Sequence, residues 1–401
     1  MKIGLKEKIK SINNIRVDLL KEFIESEKSS GYTLIFLTVV SLSITNSALG
    51  IGYSNFWQTH IDLSFWNIFL NFSISHWIND GLMAIFFLLI GLEIEREIYS
   101  GELSTIKKAS LPVIAALGGM LLPAVIHLYF NINTTTQRGF GIPIATDIAF
   151  ALGVLSIAGR RIPGSLKIFL TALAIIDDLG AITVIAIFYT SEFSITYLIG
   201  SLGIFSVLLF MNKANINKLS PYLILGVVMW YLMLQSGVHA TIAGVLLAFA
   251  IPFRKKSDNN ISYNLQKRLH KPVAFIILPL FALVNTSLIL PANIFTSLTS
   301  DNSIGIILGL VIGKLTGVFL FSYIAVKIGL SFLPQDLNWK LILGVSGLAG
   351  IGFTMSIFIT NLAFGDSEFN MASKLSIIIA STFSALIGLL ILRVATRSEF
   401  G

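Results

Sequence analysis

The chain has 401 residues, of which 12% are charged and 55% are apolar, with a mean hydropathy of +0.83 and a formal net charge of +7. This composition excludes a soluble domain, which carries about twice the charge, and a disordered chain, which is charge-rich and apolar-poor. The chain has no cysteine, which excludes disulfides and thiolate-bound metals. We therefore expect an all-α polytopic membrane protein whose excess cations lie in cytoplasmic loops, and no nucleic-acid partner.

The first 30 residues form a polar segment of mixed charge. They contain no apolar run of the length found in a cleavable signal peptide, so we expect a cytoplasmic tail at residues 1–30. Apolar residues recur there at roughly helical spacing. This pattern is typical of an interfacial amphipathic helix and equally of a solvated helical tail.

Hydrophobic runs of about the 20 residues needed to cross a bilayer follow the tail. The runs do not alternate with period two, which excludes a membrane β-barrel. Twelve such runs are predicted as transmembrane helices, at residues 32–52, 77–98, 109–130, 140–158, 166–189, 194–211, 221–234, 238–253, 272–290, 303–326, 341–363 and 374–394.

The loops between these runs alternate in charge. Of the 28 Lys and Arg residues, 25 fall in the tail and in every second loop, whereas only Arg138 and Lys374 fall in the other loops. Cations accumulate on the cytoplasmic side, so this bias predicts twelve spans with both termini cytoplasmic. The remaining cation, Lys314, lies near the middle of the tenth run.

The stretch from Tyr53 to Ser75 lies outside and has no Lys or Arg. Its partial alternation of apolar residues on either side of Trp66 predicts a small periplasmic β-hairpin. A membrane-surface loop anchored by Trp57, Phe65 and Trp66 is the alternative.

Four charged residues lie where the bilayer centre is expected: Asp147 in the fourth run, Asp177 and Asp178 in the fifth, and Lys314 in the tenth. A charge at that depth costs roughly 2.5–3.5 kcal/mol, so each is a functional candidate. Lys314 can neutralise one carboxylate in a structural pair, which leaves two acids without a cation. Adjacent helical residues point about 100° apart. One acid of the fifth run can thus pair with Lys314 while the other faces a cavity and exchanges a proton for a metal cation.

Two of the runs are poor continuous helices. Thr146 and Asp147 interrupt the fourth run, and such residues suit helix caps better than helix interiors. The eleventh run contains Gly350 and Gly352, which indicate either a break or close helix packing. The fourth run is the middle of runs 3–5 and the eleventh is the middle of runs 10–12, and these triplets have inverted orientation. Paired interrupted helices in inverted repeats predict a transport site at the midplane.

The predicted organisation follows from these spans. Segments of the chain are assigned to a tail (1–30), helices 1–2 with the hairpin (31–107), a first core repeat of helices 3–5 (108–190), helices 6–9 (191–302), a second core repeat of helices 10–12 (303–395) and a cytoplasmic C-terminus (396–401).

A second group of charged and polar residues lies at the predicted cytoplasmic surface. Glu93, Arg96 and Glu97 share one helix face at the inner end of the second run, and Gln266 and His270 precede the ninth run. The group is either an ordinary interfacial charge cluster or a pH-sensitive cytoplasmic mouth, because histidine changes charge near neutrality.

Six segments resemble the NhaA-type sodium/proton antiporters of bacterial inner membranes, and the resemblance extends from about residue 31 to 393. The motifs are Trp-Ile-Asn-Asp-Gly-Leu-Met-Ala at 77–84, Phe-Phe-Leu-Leu-Ile-Gly-Leu-Glu at 86–93, Ala-Thr-Asp-Ile-Ala-Phe-Ala-Leu-Gly at 145–153, Ala-Ile-Ile-Asp-Asp-Leu-Gly-Ala at 174–181, Ser-Gly-Val-His-Ala-Thr at 236–241 and Gly-Ile-Gly-Phe-Thr-Met-Ser-Ile-Phe at 350–358.

The resemblance implies a multi-pass inner-membrane antiporter in which helices 4 and 11 are broken and cross. It implies electrogenic export of Na⁺ or Li⁺ in exchange for two protons by alternating access, in the service of pH and Na⁺ homeostasis. Asp178 would be the main cation and proton carrier, and Asp177 its partner, able to pair with Lys314. Thr146 and Asp147 would lie at the crossing. No cofactor is implied apart from the transported ions, and the implied partners are the lipid bilayer and a second copy of the chain, joined partly through the hairpin.

The cytoplasmic mouth departs from the pattern of that family. Glu93, Arg96, Glu97 and His270 match its pH-sensing residues, but Gln266 stands where an acid is common and Lys267 where a histidine is common. An amide and a lysine do not reproduce that titration, so the pH range of activation is expected to differ.

Two other classes of protein place acids within a membrane. An intramembrane aspartyl protease uses two such acids, but it typically shows Tyr-Asp on one helix and Gly-X-Gly-Asp on another, whereas here the acids follow Thr146 and Ile176. A cation channel would conduct without proton exchange, and Lys314 at the midplane opposes a continuous cation path.

Overall fold

The computed structural model of the chain is mostly helical. It describes residues 29–64, 66, 69–159, 162–189, 194–254, 260–291 and 293–397. The predicted tail lies outside the described residues except for its last two positions, and so do the loop cations Arg160, Arg161, Lys255 and Lys256. The helices in chain order are α1 (Ser29–Thr45), α2 (Gly50–Gln58), α3 (Ile74–Ser100), α4 (Ile106–Asn131), α5 (Ile148–Ile157), α6 (Gly164–Phe188), α7 (Ile195–Lys213), α8 (Leu219–Gln235), α9 (Thr241–Ala250), α10 (Ile261–Asn285), α11 (Ile294–Leu298), α12 (Asp301–Lys327), α13 (Trp339–Ala349), α14 (Phe353–Phe364) and α15 (Glu368–Arg397).

Within the described residues, seven helices are long and apolar enough to cross a membrane: α3, α4, α6, α7, α10, α12 and α15. The number rises to ten if each of three bent helix pairs forms one span, and α8 and α9 are shorter apolar helices. Every predicted run overlaps one of these helices or pairs. A polytopic helical architecture is therefore confirmed, whereas the count of twelve spans stays a prediction.

The three bent pairs differ in the bend angle and in the kind of helix on either side of the bend. Between α1 and α2 the chain turns by 112°, so the predicted first span, 32–52, extends too far at its end. The predicted fourth span is a 3₁₀-helix, Thr135–Ile144, followed by α5 at an angle of 49°. The predicted eleventh span consists of α13 and α14, which meet at 42°. The fourth and eleventh runs are thus interrupted, at residues 145–147 and 350–352.

A short antiparallel strand pair lies within the stretch predicted to form a hairpin. Strand β1 (His60–Asp62) pairs with β2 (Asn71–Ser73), and His60 lies opposite Ser73. The strands are shorter than the alternation predicts, and the stretch begins inside α2. Hydrogen bonds from Ser64 lower the pKa of Asp62 at the end of β1. Trp66 is fully exposed beyond the strands.

The helices of the two predicted repeats pack by main-chain contact. A Cβ added at Gly118 in α4 would lie 2.4 Å from the carbonyl oxygen of Gly317 in α12, and one at Gly317 would lie 2.2 Å from that of Gly118. Any side chain at these positions would force the helices apart. This close approach brings α12, and with it Lys314, towards the helix breaks.

Candidate cation-binding site

The two helix breaks lie against each other. The Asp147 N–H donates to the carbonyl oxygen of Ile351 at 2.7 Å, and the Thr146 hydroxyl donates to the carbonyl oxygen of Ala349 at 2.8 Å. A break leaves main-chain groups without their helical partners, and buried groups of this kind are costly in a membrane. Each break here supplies partners for the other, so the two interruptions depend on one another.

One carboxylate caps two helices at this contact. Oδ1 of Asp147 accepts from the N–H of Phe150 at 2.9 Å, which caps α5. Oδ2 accepts from the N–H of Thr354 at 3.0 Å and from its hydroxyl at 2.5 Å, at the start of α14. Helix N-termini carry partial positive charge, so the buried Asp147 carboxylate offsets two of them at once.

The glycines of the second break allow α12 to approach. A Cβ added at Gly350 would lie 2.2 Å from the carbonyl oxygen of Leu310, a main-chain atom that cannot move aside cheaply. Gly352 is the N-cap of α14, where an added Cβ would meet the Ser356 side chain. Leu310 lies in a π-helical segment of α12, Gly309–Gly313, which ends directly before Lys314.

Asp147→Ala is expected to destabilise the protein by about 2–4 kcal/mol. The change removes the caps of two helices, each typically worth about 0.5–2 kcal/mol, and leaves buried N–H groups unpaired. The measurement is thermal unfolding of the purified protein in detergent. Asn338→Ala is the matched control, because the Asn338 side chain caps one helix, α13, by accepting from the N–H of Leu341 at 2.9 Å. Equal loss in the two variants would contradict the double-cap interpretation.

Asp177 of α6 and Lys314 of α12 form a fully buried ion pair. Nζ of Lys314 donates to Oδ2 of Asp177 at 2.5 Å, and both side chains are 0% exposed. The Thr146 hydroxyl lies 2.7 Å from the same oxygen, so the pair is tied to the first helix break. Oδ1 of Asp177 has no hydrogen-bond partner among the described residues.

Asp178 lies beside this pair but has a different environment. It is buried, and its Oδ1 has no hydrogen-bond partner within the described part of the chain. It lines a cavity of about 40 Å³ together with Asp147, Thr354, Glu93 and His270. A water molecule needs roughly 10–15 Å³ of such volume, so the cavity has room for two or three. We call it the inner cavity.

The inner cavity has the chemistry of a transient site for a small cation or a proton. Carboxylate and hydroxyl oxygens are the ligands that hard cations prefer. Lys314 neutralises Asp177, which does not line the cavity, whereas Asp178 lines it with an oxygen that has no hydrogen-bond partner among the described residues. A bound cation or proton would relieve the cost of its buried charge.

The predicted cytoplasmic mouth is only partly one cluster. Glu93 lines the inner cavity with His270, and the Arg96 charge and the Gln266 amide lie close enough to act on the Glu93 carboxylate. Arg96 itself forms an ion pair with Glu97 at 2.9 Å. Glu97 also accepts from the N–H of Glu102 at 2.8 Å, at the end of α3. The structure thus separates a cavity-lining set from a helix-end pair.

Sequence reasoning passed over two residues with contacts at or near the site. Thr354 lies inside a quoted motif, but no pattern in the sequence marks its hydroxyl as a hydrogen-bond partner of Asp147. Glu95 is a further buried acid on α3, and its Oε2 accepts from the Ser262 hydroxyl of α10 at 2.7 Å. An acid inside a predicted span was the available signal for Glu95.

Interrupted helices that meet beside buried charges are the architecture of secondary ion transporters. The family described as Na⁺/H⁺ antiporter 1 matches residues 21–392 of this chain, and the chain belongs to that family. Among its relatives, the Na⁺/H⁺ antiporter NhaA of Cytophaga hutchinsonii is 56% identical over 94% of this chain and 96% of its own. That of Flavobacterium psychrophilum is 58% identical over 92% and 94%, and that of Vibrio cholerae 46% identical over 94% and 98%.

Proposed function

We propose that the protein exports cytoplasmic Na⁺ or Li⁺ in exchange for periplasmic protons, electrogenically and by alternating access, and so contributes to pH and Na⁺ homeostasis. The observation that carries this proposal is the unpartnered oxygen of Asp178 in the inner cavity, beside the neutralised Asp177. Membership of the Na⁺/H⁺ antiporter family supports the same ions.

The contacts of each residue support a different role in transport. Asp178 is the main carrier, and Asp177 and Thr146 complete the cation site when Lys314 gives way. Asp147 and Lys314 compensate the ends of the broken helices, a role that the two caps made by Asp147 support. Cation and protons compete for the same carboxylates, so exchange needs no separate proton site.

The proposed setting is the bacterial inner membrane, with twelve spans and both termini cytoplasmic. Seven long helices, three bent pairs and two shorter apolar helices coincide with the twelve hydrophobic runs. The charge bias of the loops supports the orientation. The proposed assembly is a homodimer that uses the β1–β2 hairpin, and the exposed Trp66, Leu63 and Phe69 support a contact there.

The proposed pH dependence arises at the cavity-lining part of the mouth. Glu93 and His270 border the cavity that holds Asp178, so their charge acts on ion entry. Gln266 replaces an acid common at its position, and its amide lies close enough to act on the Glu93 carboxylate. The pH midpoint is therefore expected to differ from that of relatives with an acid there.

Inverted membrane vesicles with an imposed pH gradient test the proposal. Addition of Na⁺ or Li⁺ is expected to collapse the acid-inside gradient at alkaline pH, with a smaller response towards pH 6. Addition of K⁺ is expected to have no effect, because a site of a few closely placed oxygens favours small cations. The rate is read as the recovery of a pH-sensitive dye, with vesicles that lack the protein as the reference.

The same measurement separates the rival classes of protein. A cation channel would pass Na⁺ without exchanging it for protons, and a protease would move neither ion. Na⁺ flux that leaves the pH gradient intact would overturn the antiport proposal.

A further inference from the structure

A second, larger cavity lies on the predicted periplasmic side. It has a volume of about 550 Å³ and a largely polar lining. Asp178 is not among its lining residues, whereas Asn79, Asn285, Asn361, Asn370 and Lys374 are. We call it the outer vestibule.

The two cavities share three helices. On α14 the inner cavity is lined by Thr354 and Met355, and the outer vestibule begins at Phe358. On α3 the lining of the vestibule ends at Asp80 and that of the inner cavity starts at Phe86. On α10 the gap falls between residues 278 and 284. Along each of these helices, the linings of the two cavities are therefore separated by about one to two helical turns.

Three phenylalanines, one from each helix, pack together beside this separation, and one of them, Phe358, lines the vestibule. Phe87, Phe281 and Phe358 are each at most 1% exposed. The ring centroids of Phe87 and Phe358 are 5.2 Å apart, and those of Phe281 and Phe358 are 6.3 Å apart. Such a layer is water-excluding, so it blocks a hydrated ion. Phe358 belongs to α14, which also carries Thr354 of the cation site.

A chain of carboxamides holds the same helices together directly above the rings. The Asn285 amide donates to Oδ1 of Asn79 at 2.8 Å and to the carbonyl oxygen of Phe281 at 3.0 Å. Its own Oδ1 accepts from Asn361 at 2.7 Å and from Lys374 at 3.3 Å. Both hydrogens and both lone pairs of this buried amide are thus used, across α3, α10, α14 and α15.

The chain continues away from the rings. Asn370 donates to Oδ1 of Asn361 at 3.2 Å and to the carbonyl oxygen of Gly365 at 2.7 Å. These two bonds join α15 to the outer end of α14 and do not reach α3 or α10. The bonds that Asn361 and Lys374 make to Asn285 cross from the second predicted repeat to α10, and Asn285 extends the chain to Asn79 of α3.

We propose that the three phenylalanines and the Asn285-centred amide chain form the outer gate of the ion pathway, closed in this structure. Resting on the proposed function, the inference is that Asp178 reaches the periplasm only when α14 separates from α3 and α10. Asn285 is a positioning residue that holds the rings in contact. Neutral amides suit this role because each of their bonds can be replaced by a bond to vestibule water, whereas a buried ion pair would resist opening.

A cysteine reporter tests the gate, because the natural chain contains no cysteine. Met83 of α3 is 0% exposed and lies between the α3 residues that line the two cavities. In intact cells, a membrane-impermeant cationic methanethiosulfonate is added outside, and the rate at which it labels the Met83→Cys thiol is measured. A neutral hydrogen bond shifts an equilibrium by roughly two- to tenfold, so Asn361→Ala is expected to speed labelling by at least about fivefold.

Asn302→Ala is the matched control. Asn302 is buried and bonds Ser373 of α15 at 2.8 Å and His127 of α4 at 3.2 Å, so neither bond reaches α3 or α10. Its labelling rate is expected to stay within twofold of the parent. Equal rates for Asn361→Ala and the parent would overturn the gate.

If Asn361→Ala has a lower melting temperature than the parent, a cross-link tests the gate instead. A short bifunctional thiol reagent joining cysteines at Asn285→Cys and Asn361→Cys is expected to stop Na⁺/H⁺ exchange, and reduction of the link is expected to restore it. Undiminished exchange in the cross-linked protein would refute the gate. Labelling does not require transport. If the Met83→Cys parent shows no Na⁺/H⁺ exchange but Asn361→Ala is still labelled faster than the parent, the result counts against the proposed function and not against the gate.

Discussion

Asp178→Asn is expected to reduce Na⁺-dependent proton movement in inverted vesicles to the background of vesicles without the protein. The amide keeps the size of the carboxylate but carries neither a titratable proton nor a negative charge. The oxygen that lacks a partner in the inner cavity would then have no means of exchanging one ion for the other. Folding should survive, because removal of an unpaired buried charge relieves a desolvation cost.

Glu95→Gln is the matched control for this change. Glu95 is a buried acid of similar exposure on α3, but its carboxylate bonds Ser262 and does not line the inner cavity. Exchange in this variant is expected to stay within about twofold of the parent at alkaline pH. Full exchange by Asp178→Asn in the same assay would show that the carrier has been misassigned.

The sequence alone was sufficient to identify the four charges around the site. Charge is so costly in a bilayer that Asp147, Asp177, Asp178 and Lys314 stand out without any structure. The residues alone leave open which of Asp177 and Asp178 pairs with Lys314, and only the resemblance to the antiporter family predicts it. The pairing depends on how α6 is rotated about its axis relative to α12, and adjacent residues give no sign of that rotation.

Helix breaks were predictable for a related reason. Thr146 and Asp147 can replace the main-chain partners that a helix provides, and glycine tolerates the close approach of another backbone. The form of the breaks was not predictable. The 3₁₀ segment Thr135–Ile144 contacts α4, α12 and α14, and the last two of these helices are distant in the sequence.

The π-helical segments escaped sequence reasoning altogether. One segment, Trp77–Leu82, contains Asp80. The other two, Val273–Ile277 and Gly309–Gly313, lie close to His270 and Lys314 in the sequence. A π-helical turn closes its hydrogen bond over one more residue than an α-helical turn does. Tertiary packing, and not a residue pattern in the sequence, selects this geometry. The outer gate was missed for the same reason, since single asparagines on four helices form a chain only after packing.

The second large effect is expected for the ion pair between Asp177 and Lys314. Asp177→Asn leaves the buried ammonium without its carboxylate, and Lys314→Gln leaves the carboxylate with only the Thr146 hydroxyl. Removing one member of a buried pair typically costs about 3–5 kcal/mol, because the other charge stays desolvated. The double variant, with two neutral polar groups, is expected to melt above both single variants in detergent.

Lys340→Gln serves as the control, because this exposed lysine of α13 is not expected to change the melting temperature. A double variant that melts below both single variants would mean that the pair stabilises the fold by itself. The transport of a stable double variant then separates two roles of Asp177. If Asp177 only holds Lys314 in place, Asp178 should still exchange Na⁺ for protons. If Asp177 binds the cation, exchange should be lost although the fold survives, because Asp178 and Thr146 then lack the second carboxylate.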